Sequence, residues 1–547
     1  MSTAARVLAV ALAAASPAAQ IHVDADAMGA GTGQSWADAY TDLVQALEAA
    51  PDGSTVWVAE GVYKPSATGD RDATFFVPVQ VELYGGFDGT EASLAERAGL
   101  FDSTILSGDL LGDDGPGFAS TGDNSRHVVT FEFLVATLDG FTIEGGNAEG
   151  STGGGLYGPL LGATLLQNCT FRGNQADGRG GAAYLVPGDA LLVRRCTFEG
   201  NRAGEEGGAF WTSSIDSPST FENCRFVGNR ARDAGGGLSA LFTNVVGCEF
   251  VGNSADGGTG GGALDGNVIA LVNSTLWRNT ARGASVGGGG LLTYSAVVTN
   301  CIMWGNLDGD GSGEESQIRL TTSASFLLAE ANAVQGWTGL LDDGPGHVLD
   351  DPGFADPVGA DGIAGSGDDD LSLGPGSPCL DTGAGVVMVE LPDTDIDGLP
   401  RLVDAILQDL GGVVDMGAHE RRPGDGTTAS CMQPPTSLGG PAVLVAPGVA
   451  SLSSGPLVLE AGPVPSVGGT FVIGAQLAPG GAGGCVQGQP LHQLPATAVA
   501  GLLTLSLDAT ELAALGVLPG TTWHAQAVFD DGGQRHASNA VTITLLE

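Results

Sequence analysis

Three aromatic residues occupy the same position in successive copies of a repeated motif. Tyr157, Tyr184 and Trp211 each follow an apolar residue that comes after a glycine pair. Because side chains alternate along a strand, the three rings are expected to face outward on neighbouring strands. Sugar rings dock on aromatic surfaces through their apolar faces, so the column predicts a glycan-binding groove. The other interpretation is a ladder of rings that only stabilises the sheet.

An aspartate-rich segment near residue 400 has ligands suited to calcium. Asp393, Asp395, Asp397, Gly398 and Asp404 match the spacing of an EF-hand loop, with Asp404 in place of the final glutamate. Flanking helices are not expected here, because a proline precedes the loop. A second acidic turn contains Asp361, Asp368, Asp369 and Asp370. The segment predicts a Ca²⁺ site, and the alternative is ordinary Asp-Gly turn chemistry.

Catalytic residues are hard to assemble from this sequence. A glycoside hydrolase needs converging carboxylates, whereas the aromatic column offers only Asp265. A polysaccharide lyase needs a base, but Arg194, Arg195 and Arg225 are all placed beside a bend in the chain. His127 is interpreted as a strand residue with satisfied hydrogen bonds. The pattern therefore favours a protein without catalytic activity.

These residues belong to a repeat in which cysteine, an aromatic residue, Gly-Asn and a glycine pair recur. The phrase CTFRGNQADGRGGAAYL returns as CTFEGNRAGEEGGAFW and CRFVGNRARDAGGGLSA. The asparagines of the repeat are Asn174, Asn201, Asn229, Asn253, Asn279 and Asn306. Spacings of 24 to 28 residues indicate a solenoid, and the Gly, Thr, Val and Phe content excludes helical repeats.

Each repeat is predicted to form one coil of three short strands. The residue before each cysteine position is usually Asn or Gly, which tolerate a left-handed backbone best and so predict a sharp bend. These bend residues are Asn168, Arg195, Asn223, Gly247, Asn273 and Asn300, of which Arg195 fits poorly. The inward column after the bend is Cys169, Cys196, Cys224, Cys248, Ser274 and Cys301. Parallel Cβ vectors suit disulfides poorly, so we expect a ladder of buried thiols inside a parallel β-helix.

The two ends of the chain have different patterns. Leu43, Ala46, Leu47 and Ala50 recur at helical spacing and predict a helix that caps the solenoid within residues 20–63. Residues 423–437 have the composition of a linker, and residues 438–547 alternate like the short strands of a small β-sandwich. Cys431 and Cys485 are candidates for a disulfide.

Several segments carry a family resemblance: VAEGVYKPS, VELYGGFDGTE, STILSGDLLGDDG, DNSRHVV and LDGFTIEGGNA. They resemble the opening of secreted bacterial right-handed β-helix proteins of the pectin-lyase-like superfamily. The Phe-x-x-Asn and Gly-Gly-Ala repeats resemble those of polymorphic outer-membrane proteins. The resemblance implies an all-β, right-handed, single-stranded parallel β-helix over residues 20–422. Its regular repeats would occupy residues 147–306, and acidic closing coils residues 350–422.

Charge and the N-terminal pattern limit the partners. The net charge of −43, from 63 acidic and 20 basic residues, repels nucleic acids and anionic lipids. Residues 1–19 have the positive start, apolar stretch and small residues of a secretory signal, and no later segment is apolar enough to span a bilayer. The expected location is therefore extracellular or at the cell surface.

Three functional hypotheses follow from these observations. The first is a non-catalytic β-helix surface protein that acts in adhesion or contacts a polysaccharide or cell-surface glycan. The second is a polysaccharide lyase or glycoside hydrolase built on the same scaffold. The third is a structural surface protein stabilised by calcium. Carboxylates or basic groups converging beside the aromatic column would favour the second hypothesis over the first.

Overall fold

The chain folds mainly into short β-strands that wind into a parallel solenoid. The computed structural model describes residues 19–420 except 98–100, 132–135, 215–216, 258–259, 284–286, 323–324, 340, 342–343, 375, 381, 385–386, 388, 390, 400 and 402–413. Beyond residue 420 it describes only the strands given below. Each strand pairs in parallel with its counterpart one coil away, as Phe171 pairs with Phe198. The predicted parallel β-helix is confirmed.

Three parallel sheets run along the solenoid over the described residues. Sheet A has 17 strands: Gln20–Val23, Thr55–Ala59, Phe75–Val77, Glu82–Phe87, Val129–Phe131, Ala136–Asp139, Leu156–Leu161, Thr164–Gln167, Ala183–Pro187, Leu191–Arg194, Phe210–Thr212, Ser219–Glu222, Leu238–Val246, Leu264–Val272, Leu291–Thr299, Ile318–Leu320 and Phe326–Glu330. Sheet B has 10 strands: Gly61–Tyr63, Thr104–Ser107, Thr142–Glu144, Thr170–Arg172, Thr197–Glu199, Arg225–Val227, Glu249–Val251, Thr275–Trp277, Ile302–Trp304 and Ala333–Val334. Sheet C has 6 two-residue strands: Asn147–Ala148, Gln175–Ala176, Arg202–Ala203, Arg230–Ala231, Ser254–Ala255 and Thr280–Ala281.

The bend between sheets A and B has the predicted left-handed backbone. Asn168 and Asn223 both have φ of 51°, and Gly247 has φ of 64°. Arg195 also has φ of 51°, although arginine has no intrinsic preference for this region. The bend is therefore imposed by the solenoid even where the local residue does not favour it.

The interior contains the predicted cysteine and phenylalanine columns. All five cysteines of the column are free and at most 1 % exposed. Phe171, Phe198, Phe226 and Phe250 stack in order, with the last pair of ring centroids 4.5 Å apart. The thiol ladder is confirmed, and aromatic stacking adds to it along the same axis.

The repeated asparagines form a second internal ladder that the sequence interpretation placed at the corners. The preceding glycine makes the turn, as Gly200 does with φ of 59°, and the asparagine side chain points inward. Asn201 Nδ2 donates to the Phe171 carbonyl at 2.9 Å, and its Oδ1 accepts the Asn174 backbone N–H at 3.0 Å. Buried polar groups are thus satisfied from coil to coil.

Both ends of the solenoid interior are covered. The helix Leu43–Ala49, with Asp42 as its N-cap, buries the predicted residues Leu43, Ala46 and Leu47 at the first end. Trp337 and Leu341 pack against the core at the other end. The other described helices are Glu314–Gln317 and the 3-10 turns Trp36–Asp38, Leu94–Glu96 and Thr121–Asp123. Among described residues, no helix has the length and apolar character required to cross a membrane.

Residues 354–420 differ from the predicted closing coils. The strands Phe354–Asp356 and Asp370–Leu373 pair with each other in an antiparallel manner, and no described strand of this range joins the parallel sheets. Instead the chain returns along the outer face of sheet B, as Asn273 Nδ2 shows by donating to the Asp415 carbonyl at 3.0 Å. We call the described part of 354–420 the return segment.

Beyond the return segment, the described strands form two four-stranded antiparallel sheets. The first contains Val443–Val445, Leu457–Gly462, Leu502–Leu507 and Ala498–Val499. The second contains Val486–Ala496, Gly469–Leu477, Thr522–Asp531 and Gln534–Thr544. Two antiparallel sheets are the elements that a β-sandwich requires. Cys431 and Cys485, the candidates for a disulfide, lie outside the described residues.

Candidate functional site

The three predicted aromatic residues lie together on the outer face of sheet A. The ring centroids of Tyr157 and Tyr184 are 5.9 Å apart, and those of Tyr184 and Trp211 are 4.7 Å apart with only 4° between the ring planes. His127 extends the stack, with its centroid 4.7 Å from that of Tyr157. We call these four residues the aromatic stack.

The ring faces of the aromatic stack are largely covered by other side chains of the protein. Each tyrosine ring lies between two other rings of the stack. Trp211 is only 9 % exposed, its Nε1 donates to Glu206 at 3.0 Å, and the Arg179 guanidinium lies 5.0 Å from its ring centroid. A sugar needs a free ring face, so this geometry favours the stabilising ladder over an open platform.

His127 has the satisfied role that the sequence suggested. Its Nδ1 lies 2.8 Å from the Gly153 carbonyl, the geometry of an N–H donor. Burial lowers the pKa of His127 and outweighs the bond to Gly153, which favours the neutral ring. A neutral ring stacked on Tyr157 is well suited to a structural contact.

Asp265 lies farther along the same column as Trp211. It is two coils beyond Trp211, through Ser239, and accepts the Gly261 N–H at 3.2 Å. Burial raises the pKa of Asp265 to about 6, with a further contribution from the charge of Glu206. The charged groups beside Trp211 are Glu206 and Arg179, which are already paired with each other at 3.2 Å.

The residues predicted to bind calcium near residue 400 have other partners. Asp395 is buried and accepts three backbone N–H groups, from Asp397, Leu399 and Glu420. Burial raises the pKa of Asp395. The Asp393 carbonyl accepts the N–H of residue 401, whereas Asp404 lies outside the described residues. An oxygen ligand set for calcium is therefore not assembled by the described aspartates of this segment.

The second acidic turn likewise uses its carboxylates internally. Asp361 accepts the Ile363 N–H at 2.7 Å, and Asp368 accepts the Asp361 N–H at 3.0 Å. Asp369 accepts the Trp277 indole N–H at 3.0 Å. This is the Asp turn chemistry that the sequence analysis gave as the alternative to metal binding.

A buried charge cluster joins the return segment to sheet B. His419 contacts Glu249 Oε1 through Nε2 and Asp397 Oδ2 through Nδ1, both at 2.6 Å. Arg225 contacts the same two carboxylates at 3.3 and 2.8 Å. Burial alone would lower the pKa of His419, but the charge of Glu249 and the bonds to both carboxylates raise it to about 10. The cluster is fully paired and therefore suits a structural role.

An open cleft lies on the uncovered half of sheet B. It has a volume of about 640 Å³, within the range of ligand pockets. One wall is the loop that follows the strand Thr104–Ser107, and the floor is formed by three successive coils. We call it the acidic cleft, and its lining side chains other than glycine are Asp109, Asp114, Pro116, Phe118, Thr121, Glu144, Arg172 and Glu199.

The floor of the acidic cleft is an ordered row of charges. Glu144, Arg172 and Glu199 are paired in register on neighbouring strands. Arg172 Nε donates to Glu144 at 2.7 Å, and both side chains are partly exposed. Glu199 is exposed at the end of the row. The floor thus offers carboxylate acceptors and one guanidinium already neutralised by its neighbour.

The wall of the acidic cleft contains a strained aromatic residue. Phe118 has φ of 65° and Ser120 has φ of 67°, both in the left-handed region. Holding a bulky residue in this region costs about 1–3 kcal/mol, and outside the repeated bends such strain is often associated with functional sites. Burial raises the pKa of the neighbouring Asp114, which accepts a 2.7 Å bond from Asn124.

One group of carboxylates at the acidic cleft could hold a metal ion. Oxygens of Asp109, Asp113 and Asp123 all lie within 4.8 Å of one another. Asp109 also accepts the Gly112 N–H at 2.6 Å, and Asp123 accepts the Leu111 N–H at 3.0 Å. Carboxylate oxygens have further lone pairs, so a hard cation such as Ca²⁺ fits this donor set.

The sequence did not predict the acidic cleft because its wall and its floor come from separate segments of the chain. The segment containing Asp109 served only as evidence of family resemblance, and the periodicity of the coils gives no information about what covers them. A usable signal was present in the outward residues of sheet B. Glu144, Arg172 and Glu199 are charged, whereas Val227 and Val251 at the next positions of this column are apolar.

One comparison with known proteins, a family model, supports the fold. A crystal structure of pectate lyase Pel9A is similar with 15 % identity and a TM-score of 0.40, covering 74 % of this chain and 97 % of that chain. That similarity is too low to inform activity. No curated protein matches the chain. Residues 130–276 match the family described as a right handed beta helix region. The parallel solenoid is thus a right-handed β-helix.

Proposed function

We propose that this protein is a non-catalytic β-helix that binds a glycan in the acidic cleft. The observation that carries the proposal is Phe118, held in a strained backbone conformation in a cleft whose other side chains are mainly carboxylates. An aromatic ring offers stacking to the apolar face of a sugar, and carboxylates accept hydrogen bonds from its hydroxyl groups. The secretory pattern of residues 1–19 supports a location outside the cell.

The charge of the acidic cleft indicates which glycans it would accept. Asp109, Asp114, Glu144 and Glu199 face a single cation, Arg172, which is already bound to Glu144. The whole chain carries a net charge of −43. A polyuronate would meet like charges, whereas a neutral or amino-sugar polymer would not. We therefore expect neutral or cationic glycans to bind and polyuronates to bind weakly.

The test is a binding titration of the full chain against three kinds of oligosaccharide. Neutral xylan or glucomannan fragments, cationic chitosan fragments and anionic polygalacturonate fragments are compared by calorimetry. We expect binding to a neutral or cationic member. Phe118→Ala and Glu199→Gln should each weaken that binding by about tenfold, as the loss of one good contact would.

A matched control is the exposed Phe76→Ala on sheet A, which lies outside the acidic cleft and should leave binding unchanged. Trp211→Ala separates the aromatic stack from the cleft. If the stack is a stabilising ladder, this variant lowers the melting temperature and keeps the affinity. Affinity lost through Trp211→Ala but not through Phe118→Ala would instead place the glycan on Tyr157, Tyr184 and Trp211.

Catalysis is the second candidate because of one specific feature. Arg172 lies in the same cleft as Asp109, which belongs to the group of carboxylates able to hold Ca²⁺. A base and a cation are what lyase chemistry on a uronate requires, but the Arg172 guanidinium is committed to Glu144 at 2.7 Å. Incubation with pectin and alginate, followed by ultraviolet absorbance and reducing ends, decides the matter. Product formation abolished by Arg172→Ala would overturn the non-catalytic proposal.

A further inference from the structure

The lining of the acidic cleft contains four carboxylates, and three of them are already engaged by groups of the protein. Glu144 accepts a 2.7 Å bond from the Arg172 guanidinium. Asp109 accepts three backbone N–H groups of its own loop. Asp114 accepts a 2.7 Å bond from the Asn124 amide. These three carboxylates therefore have contacts that hold the wall and the floor of the cleft together.

Glu199 is the fourth carboxylate, and no described side chain pairs with it. It is exposed, and Arg172 on the neighbouring strand donates to Glu144 rather than to Glu199. A carboxylate without a partner in the protein keeps its acceptor capacity for a ligand. Glu199 therefore offers the cleft a negative charge that a bound molecule can neutralise.

Glu199 also lies at one end of the floor of the cleft. The next residue of its column is Val227, which packs beside Leu371 of the return segment. At the other end the column begins with Ser107, which is buried. The open floor spans three coils, about 10 Å from the first strand to the third. A ligand on this floor meets Glu199 within a short segment, where one functional group can decide the affinity.

The charge of the cleft favours a cation as that functional group. Four carboxylates face a single guanidinium in the lining. A sugar hydroxyl only exchanges a hydrogen bond to water for one to Glu199, whereas an ammonium group brings a full charge and three donors. Phe118 belongs to the same lining, and a cation is also attracted to an aromatic ring.

We infer that Glu199 recognises the free amine of an amino sugar, an inference that rests on the proposed binding of a glycan in the acidic cleft. The cleft then takes a polymer of de-N-acetylated glucosamine in preference to the acetylated polymer. Acetylation converts the ammonium group into an uncharged amide and removes the charge with which Glu199 pairs. Glu199 thus determines specificity, whereas Phe118 contributes to the binding of both forms.

The test compares chitosan and chitin oligosaccharides of equal length by calorimetry on the full chain. The pH is mildly acidic so that the sugar amines carry their protons, and a chelator keeps metal ions away from Asp109. We expect chitosan fragments to bind about tenfold more tightly than chitin fragments, with a difference that shrinks as salt is added. Glu199→Gln should weaken chitosan binding to the level of chitin binding. Phe118→Ala should weaken the binding of both fragments by a similar factor.

The matched control is Glu48→Gln, which removes the same charge from an exposed position on the helix Leu43–Ala49, outside the cleft. It should keep the preference for chitosan, and so separates Glu199 from the net charge of −43. Tetralysine is the second control, because it carries ammonium groups without a sugar. We expect it to bind more weakly than a chitosan fragment of equal charge.

Each failed outcome has its own meaning. If these fragments and the neutral fragments named above all fail to bind, the proposed function itself is contradicted. Equal binding of chitosan and chitin, or a Glu199→Gln variant that keeps the preference, leaves glycan binding intact and overturns the role of Glu199. Tetralysine that binds as tightly as chitosan overturns the recognition of an amino sugar, since charge alone then explains the affinity. Equal melting temperatures of Glu199→Gln and the wild type show that a lost preference does not come from unfolding.

Discussion

The two halves of sheet B use the same outward column in opposite ways. In the first half, Glu144, Arg172 and Glu199 face the open acidic cleft. In the second half, the same column continues with Val227, Val251 and Trp277, which pack against Leu371 and other residues of the return segment. One repeated backbone therefore presents an open, charged cleft at one end and an internal interface at the other.

The neighbouring outward column shows the same contrast. Thr170 and Thr197 are partly exposed in the open half, whereas Glu249 in the covered half is 4 % exposed and has both Arg225 and His419 as partners. Covering a carboxylate is tolerated only when partners are supplied. The return segment brings one of those partners, His419, from 170 residues away in sequence.

The two halves of sheet B should differ most in the free energy of unfolding that is lost when a carboxylate is removed. Glu249→Ala leaves His419 and Arg225 with one shared carboxylate, Asp397, in a buried site, and should lower the free energy of unfolding by about 3–5 kcal/mol. Urea unfolding followed by circular dichroism measures the loss.

The matched change in the open half is Glu199→Ala, which should stay within about 0.5 kcal/mol of the wild type because Glu199 is exposed. Similar losses for both variants would mean that covering by the return segment does not distinguish the two halves.

Alkaline pH should lower the stability of the half of sheet B that the return segment covers. The pKa of His419 is raised in the folded chain to about 10, so its contribution is complete below the unfolded value near 6.5 and is lost as the pH rises toward 10. Burial raises the pKa of Glu420 to about 9, which acts in the same direction. The melting temperature should therefore fall between pH 7 and pH 10.

The variant His419→Gln tests the origin of this pH effect. It should be less stable than the wild type at pH 7 and should show a flatter dependence of melting temperature on pH. A slope unchanged by the variant would assign the effect to other titrating groups.

The smallest expected effect concerns calcium at the open half. If Asp109, Asp113 and Asp123 bind Ca²⁺, adding a chelator lowers the melting temperature by a few degrees, and Asp113→Asn removes the response. The control is Asp397→Asn in the covered half, which should retain the response to chelator. An identical melting curve with and without chelator would contradict calcium binding by these aspartates.

The sequence predicted the coil well because its signals are local and repeated. The left-handed bend at Asn168 and the buried Cys169 follow from residue types at fixed spacing, and even Arg195 adopts the bend. The inward asparagine ladder was not predicted, since Gly-Asn is also a common turn signal. Only its repetition from Asn174 to Asn306 indicated that each side chain meets its equivalent.

The candidate site was predicted less well because it depends on contacts between distant segments. The stacking of Tyr157, Tyr184 and Trp211 follows from the repeat, but the faces that this stacking covers depend on ring orientation, which spacing does not specify. The cleft requires Phe118 to lie near Glu144 and Glu199, and no periodicity encodes that. The change from charged to apolar outward residues after Glu199 was the available evidence for the covered region.

The buried column of thiols has a consequence for the conditions under which the chain can fold. In the folded solenoid, Cys169, Cys196 and Cys224 are buried, so solvent oxidants and the thiols of other molecules cannot contact them. Before the coils close, the same thiols are exposed, and in an oxidising medium each can pair with the wrong neighbour. In such a medium the coils must form faster than the thiols oxidise. Refolding yields should therefore depend on reductant during assembly and hardly at all once the solenoid is complete.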